Sequence, residues 1–244
     1  MKQEVTLRVI AHIETAFPTK FGIPRQSGLV PGLRGTVVFE PEYRSPDALR
    51  GLDGYSHLWL IWQFSEQFRG GGAARGWSPT VRPPRLGGNR RIGVFATRSP
   101  NRPNPIGLSS VEIESVEYTA DRGPLIHVRG ADLMDGTPIL DIKPYLPFTD
   151  SHPDARDGFA GERAGYALSV SDPSGALELL SPAMQEEVRA LLSGDPRPSY
   201  QSDSQREYGM EYGGYEIRFT ADDDTHTLFV CEVVQTKGIA AKKP

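Results

Sequence analysis

Three prolines fall within the six residues Pro100 to Pro105 of the segment Arg98-Ser99-Pro100-Asn101-Arg102-Pro103-Asn104-Pro105-Ile106-Gly107. No helix and no interior strand survives that spacing, because each proline fixes φ and removes a backbone donor. The segment must be a rigid loop that holds two arginines and two asparagines at set angles. A rigid polar loop suits a ligand site, since part of the ordering entropy is lost before binding.

The same punctuation recurs along the chain. With 26 glycines and 21 prolines in 244 residues, short strands and many turns are favoured over long helices. Strands are predicted over Val5 to Glu14, Gly35 to Phe39, Ser109 to Tyr118, Leu125 to Gly130 and Ile139 to Tyr145. Ser56 to Phe64 is almost continuously apolar and reads as a buried central strand, and Ile92 to Thr97 reads as a buried strand. Ala16 to Gly32 reads as a loop, and Ser45 to Gly51 as a brief helix with Ser45 as its cap. Asp135-Gly136 centres a turn. About seven short strands with little helix predict an all-β barrel or closed sheet.

Near Ser151 the composition changes. Ser151 to Gly165 is polar and reads as a linker, and residues 151–244 hold 16 acids against 9 bases. Ser181 to Gly194 is the strongest helix, with a serine cap, a proline in its first turn and an apolar face of Met184, Val188, Leu191 and Leu192. Tyr215 to Thr220 and Thr227 to Val234 predict a hairpin around Asp222-Asp223-Asp224. The expected organisation is a barrel domain over 5–150 and a smaller α+β domain over 151–244.

Charge is segregated. Gln67 to Val111 holds eight arginines and no acid, which leaves 19 of the 27 basic residues against all 31 acidic ones elsewhere. A mildly acidic chain with one cationic stretch concentrates its field on a polyanion without being generally adhesive. A solvated basic face is the simplest alternative reading.

Several chemistries find no support. Gly70-Gly71-Gly72-Ala73-Ala74-Arg75-Gly76 lacks the last glycine of a dinucleotide loop and runs into Trp77-Ser78-Pro79. No phosphate loop, no G-x-S-x-G and no H-E-x-x-H occurs. Five scattered histidines and the single Cys231 argue against a metal site and against an internal disulfide. No apolar run is long enough to span a membrane, and a cytoplasmic location is expected. His57 beside Ser56 reads as a hydrogen-bonded structural residue.

Arg82-Pro83-Pro84-Arg85-Leu86-Gly87-Gly88-Asn89, Gly93-Val94-Phe95-Ala96-Thr97-Arg98-Ser99, Arg102-Pro103-Asn104-Pro105-Ile106-Gly107, and Asp135-Gly136-Thr137-Pro138 with Asp141-Ile142-Lys143-Pro144-Tyr145 together resemble the TsaA-like family over about residues 5–150. Asp195-Pro196-Arg197-Pro198-Ser199-Tyr200 is similar to an element in the C-terminal domain of its longer members. The resemblance implies a single-sheeted β-barrel, a homodimer and S-adenosylmethionine as methyl donor. It implies methylation of N6 of N6-threonylcarbamoyladenosine, immediately 3′ of the anticodon in tRNA. By motif match the cofactor contacts are Pro24, Arg25, Gln26, Arg98, Leu108, Asp135, Gly136, Thr137 and Pro138. Ser65 and Glu66 occupy the place after the aromatic strand where relatives often carry His, and their main chain takes that contact.

Arg82, Arg85, Arg90, Arg91 and Arg102 are the expected grip on the anticodon loop, and Asn104 is the expected partner of the substrate base. A methyltransferase of the same fold with another acceptor, and a non-catalytic RNA- or nucleotide-binding barrel, are the competing readings.

Overall fold

The computed structural model describes residues 4–64, 77–83, 90–163, 165–198 and 203–236. The chain divides into two compact units. One comprises Met1–Thr15, Gln26–Val81 and Ile92–Asp150, and the other Ala16–Arg25, Arg82–Arg91 and Ser151–Pro244.

The first unit is a closed antiparallel barrel. Its strands are β1 (Ala11–Thr15), β2 (Arg34–Phe39), β3 (His57–Gln63), β6 (Ile106–Thr119), β7 (Gly123–Arg129) and β8 (Thr137–Pro144), in the order β1-β2-β7-β6-β3-β8, with β8 returning to β1. Closure leaves no free edge. The short strands β4 (Thr80–Val81) and β5 (Ile92–Gly93) pair outside it. Alternate residues point inward, as a strand's period of two requires. Ile13, Val37, Leu58, Leu60, Ile126 and Ile139 are fully buried there.

Four expectations are corrected. The first strand begins at Ala11, not Val5. The predicted helix at Ser45 is a single 3-10 turn, Pro46–Leu49, and the Ser45 side chain makes no capping bond. β3 is buried on one face only: Leu58, Leu60 and Trp62 face the core, while Trp59 and Ile61 are half-buried. A continuous apolar run did not distinguish these cases, because the outer Trp59 is half covered too. Its Nε1–H donates to Asp150 Oδ2 at 2.9 Å, and its ring lies 5.6 Å from that of Tyr145. A buried indole needs such a partner for its N–H.

The fourth correction concerns Ile92 to Thr97. Only Ile92–Gly93 is strand. Val94–Ala96 forms a 3-10 turn in which Val94 alone is buried. The Val94 N–H donates to the Pro79 carbonyl at 2.9 Å, and Thr97 Oγ1 closes the turn on the Val94 carbonyl at 2.8 Å.

The second unit is a four-stranded sheet, β10 (Tyr208–Tyr212), β11 (Tyr215–Asp222), β12 (Thr227–Gln235) and β9 (Ser169–Ser171), the last parallel to β12. Its helix Pro182–Ser193 carries the predicted cap, with the Met184 N–H donating to Ser181 Oγ, and buries Val188, Leu191 and Leu192. The two-residue turn between β10 and β11 is Gly213-Gly214, both with positive φ. That conformation matches the twist of a tight hairpin and is open to glycine at little cost. Asp222-Asp223-Asp224 lie at the β11–β12 connection, as expected.

Candidate functional site

A chain of hydrogen bonds runs from the barrel core to Asp132, whose carboxylate feels the charge of Arg98. Trp62 Nε1–H donates to Ser109 Oγ at 2.9 Å, and Ser109 Oγ–H donates to Asp132 Oδ1 at 2.5 Å. Main-chain N–H groups of Ser27 and of Asp132 also reach this carboxylate, and the Arg98 charge acts on it. Arg98 Nη1 donates in turn to Gln26 Oε1. Next to Gln26, Ser27 Oγ accepts from the Ser110 N–H at 3.1 Å. Three segments distant in sequence, at Gln26-Ser27, Arg98 and Asp132, are thereby tied to two neighbouring strands.

Burial pushes the Asp132 carboxyl above the usual aspartate range. The Ser109 hydroxyl, the two main-chain donors and Arg98 oppose that shift without overcoming it. The consequence for stability has a definite sign. Below about pH 3.9 the carboxyl is protonated in both folded and unfolded chains. As pH rises past that value the unfolded chain ionises first, so stability falls until the folded carboxyl ionises as well. Asp132→Asn keeps the acceptor for Ser109 and cannot ionise. Its unfolding free energy should exceed that of the natural chain by a margin that grows as pH rises above about 4. Denaturant titrations across pH test this, and parallel profiles would mean that Asp132 titrates like a solvent-exposed carboxylate.

The proline loop is held by its own side chains. Arg102 Nη1 donates to the carbonyls of Thr97 (3.2 Å) and Ser99 (3.5 Å). The Asn101 N–H donates to Ser99 Oγ, and the Ile106 N–H to the Asn104 carbonyl at 2.8 Å. Arg102 thus spends donors on loop shape. Asn104 is exposed and makes no side-chain hydrogen bond among the described residues.

The Asp135-Gly136-Thr137-Pro138 turn is fastened to β1. The Thr15 N–H donates to Asp135 Oδ1 at 3.0 Å, and the Gly136 N–H to the Ile13 carbonyl at 2.8 Å. Gly136 adopts φ 73°, and Thr137 donates through both N–H and hydroxyl to the Met134 carbonyl.

Residues 12–151 match the family model described as tRNA-methyltransferase O N-terminal domain, and residues 173–236 match TrmO C-terminal domain. The chain belongs to the tRNA-methyltransferase O (TrmO) family. It is 39% identical over 231 residues to the tRNA (adenine(37)-N6)-methyltransferase of Escherichia coli, spanning 91% of this chain and 96% of that protein. It is 40% identical over 217 residues to a putative S-adenosylmethionine-dependent methyltransferase of Pseudomonas aeruginosa, spanning 86% and 90%. A crystal structure of TrmO from Pseudomonas aeruginosa superposes with a TM-score of 0.74 at 32% identity, covering 96% of this chain and 99% of that one.

Of the site residues expected from the family motifs, the barrel unit brings Gln26 and Arg98 into direct contact. Leu108, half exposed, precedes Ser109 on β6, and Asp135 lies three residues beyond Asp132. Pro24 and Arg25 are counted with the second unit, where Arg25 Nη2 donates to the Arg197 carbonyl at 3.3 Å. Arg82, Arg90 and Arg91 also fall in segments of that unit, with exposed side chains. Ser65, Glu66 and Arg85 lie outside the described residues.

The donor set fits the groups that S-adenosylmethionine presents. An exposed guanidinium suits its carboxylate, a half-exposed leucine its apolar surface and a carboxylate its sulfonium. Sequence reasoning missed Trp62, Ser109 and Asp132. The available signal was a lone acid in the apolar stretch Ala131-Asp132-Leu133-Met134, since a carboxylate among core residues must be hydrogen-bonded. Ser56 Oγ lies 2.9 Å from His57 Nδ1, which accounts for that histidine structurally. Among the described residues no three His, Cys, Asp or Glu side chains cluster as a metal site, and no helix is long and apolar enough to cross a membrane.

Proposed function

We propose that this TrmO-family chain uses S-adenosylmethionine to methylate N6 of N6-threonylcarbamoyladenosine next to the anticodon of tRNA. The observation that carries the reading is the tie from Trp62 through Ser109 and Asp132 to Arg98. It sets the Asp132 carboxylate under the charge of an exposed arginine that is itself bonded to Gln26. The Escherichia coli relative, a tRNA (adenine(37)-N6)-methyltransferase, supports adenine 37 of tRNA as the acceptor, and the threonylcarbamoyl group on it follows from the motif resemblance.

Methyl transfer is an in-line displacement, so positioning supplies much of its acceleration. The bound cofactor supplies an electrophilic methyl group. Arg98, with Gln26 beside it, holds the carboxylate end, and Pro24 and Arg25 are cofactor contacts by motif match. Leu108 packs against apolar surface. The turn Asp135-Gly136-Thr137-Pro138 offers carbonyl and carboxylate oxygens to a sulfonium.

The carbamoyl group withdraws electrons from N6, which weakens the nucleophile and acidifies its proton. The transfer would join N6 to the methyl carbon as the carbon–sulfur bond breaks to leave a neutral thioether, with the N6 proton passing to solvent. Asn104, exposed in the rigid loop, orients the base. Arg82, Arg85, Arg90, Arg91 and Arg102 hold anticodon-loop phosphates. The reading places catalysis in residues 5–150 with residues 151–244 as an accessory domain, in a cytoplasmic homodimer.

The test is nucleoside mass spectrometry of tRNA incubated with the protein and S-adenosylmethionine. A methyl-sized gain on threonylcarbamoyladenosine, absent from tRNA lacking the threonylcarbamoyl group, is expected. No gain, with calorimetry still showing cofactor binding, would discard the acceptor and keep the methyltransferase.

A further inference from the structure

Phe95 is 72% exposed and Trp77 53% exposed, with ring centroids 6.1 Å apart and planes 31° from parallel. Two large aromatic rings side by side in solvent are unusual on a folded surface and mark a contact site. Both are held in place. Phe95 is the centre of the three-residue turn Val94–Ala96, anchored below by the buried Val94 and closed by Thr97. Trp77 stands three residues before β4, whose Thr80 and Val81 pair with Gly93 and Ile92 of β5. The Val94 N–H to Pro79 carbonyl bond clamps the two arms together. Nothing in the barrel core requires Phe95 to be aromatic.

The surroundings select the occupant. The pair lies within Gln67 to Val111, the stretch with eight arginines and no acid. Arg98, three residues after Phe95, is also exposed. A fixed aromatic face carried by an arginine-rich stretch without acids complements an unpaired nucleobase of an RNA, on which the rings stack.

We infer that Trp77 and Phe95 form a stacking platform for an unpaired base of a single-stranded RNA loop. This rests on the proposed tRNA substrate and adds to it how that substrate is gripped. The platform contributes affinity through the π-face and not through charge, so it acts apart from the arginine grip.

The experiment measures binding of tRNA to the full-length protein at several salt concentrations, for the natural chain and for Trp77→Ala, Phe95→Ala, Phe95→Leu and Phe95→Trp. The two alanine variants and Phe95→Leu should each weaken binding about 5- to 100-fold. The slope of affinity against salt should stay unchanged, because the phosphate contacts remain. Phe95→Trp should bind like the natural chain. Calorimetric affinity for S-adenosylmethionine should be unaffected in all four.

Full affinity in both alanine variants would overturn the platform. So would retention of affinity in Phe95→Leu, which keeps apolar surface and loses only the π-face. A halved mass by light scattering in the alanine variants would assign the rings to an interface between copies of this chain and would also overturn it. The readout is binding, so it decides the platform even if mass spectrometry shows that another nucleoside is methylated.

Discussion

Gly107→Ala should be among the most destabilising single-methyl additions in this chain. Gly107 on β6 pairs with Trp62 on β3, and a Cβ built there would stand 2.2 Å from Trp62 Cε2, 2.4 Å from Cζ2 and 2.6 Å from Cδ2. Relief would require the ring to move, and the ring is fixed on three sides. Its Nε1–H is bonded to Ser109, its edge meets Phe64 at 4.3 Å between centroids, and it is buried in the barrel. Overpacking of this kind costs about 1–3 kcal/mol, and breaking the Trp62–Ser109 bond adds roughly 1 kcal/mol.

Against a typical domain stability of about 5–15 kcal/mol, a loss of about 3 kcal/mol should appear as a clear fall in the denaturant midpoint. The fitting control is Gly93→Ala, because a Cβ at Gly93 meets nothing within 4 Å and its φ is ordinary. That variant should stay within about 0.5 kcal/mol of the natural chain. An unchanged midpoint for Gly107→Ala would show that the indole can swing away without loss. The same variant reports on the site: displacing Trp62 removes a donor to Ser109, which in turn supports Asp132 beside Arg98.

How much of this was legible in the sequence differs by the kind of interaction. The alternation of β6 and the proline loop before it depend on neighbours in the chain, so both were readable. The Ser181-Pro182 start of the second unit's helix is local in the same way. β3 was readable as a strand but not as one-sided, because Trp59 and Ile61 on its outer face are as apolar as the residues inside. Phe95 was misread for the converse reason: an apolar run predicts burial, and the run Ile92 to Thr97 turns after two residues.

The tie from Trp62 to Asp132 was invisible because its members are 47 and 23 positions apart. Only barrel closure brings them together. The family motifs led to Arg98, Gln26 and the Asp135 turn without saying what supports them. β9, three residues long and parallel to its neighbour, left no pattern at all. β10 could have been found, since Tyr208-Gly209-Met210-Glu211-Tyr212 alternates and runs into Gly213-Gly214.

Arg197→Ala should have the second large effect, this time confined to the C-terminal unit. Arg197 lies in the Asp195-Pro196-Arg197-Pro198 element and is only 3% exposed. Its Nε donates to Asp195 Oδ1 at 2.8 Å, and its Nη2 donates to Asp195 Oδ2 at 3.1 Å and to Asp223 Oδ1 at 2.7 Å. Burial weakens the charged form, but the two carboxylates more than offset this and hold the guanidinium well above its ordinary value.

Truncation would strand Asp195, itself 14% exposed and in the left-handed region at φ 51°. Removing one partner of a buried pair costs about 3–5 kcal/mol. The lower end applies here, because Asp223 is nearly half exposed and can be resolvated. Arg197→Lys keeps the charge but loses the planar fork on Asp195 and should recover only part of the loss. Arg197→Met combined with Asp195→Asn removes both charges of the inner pair, and should be more stable than Arg197→Ala although it changes two residues. Chemical denaturation followed by tyrosine fluorescence of the second unit distinguishes the three. If Arg197→Ala melted like the natural chain yet lost tRNA affinity, the motif would be serving the RNA and not the fold.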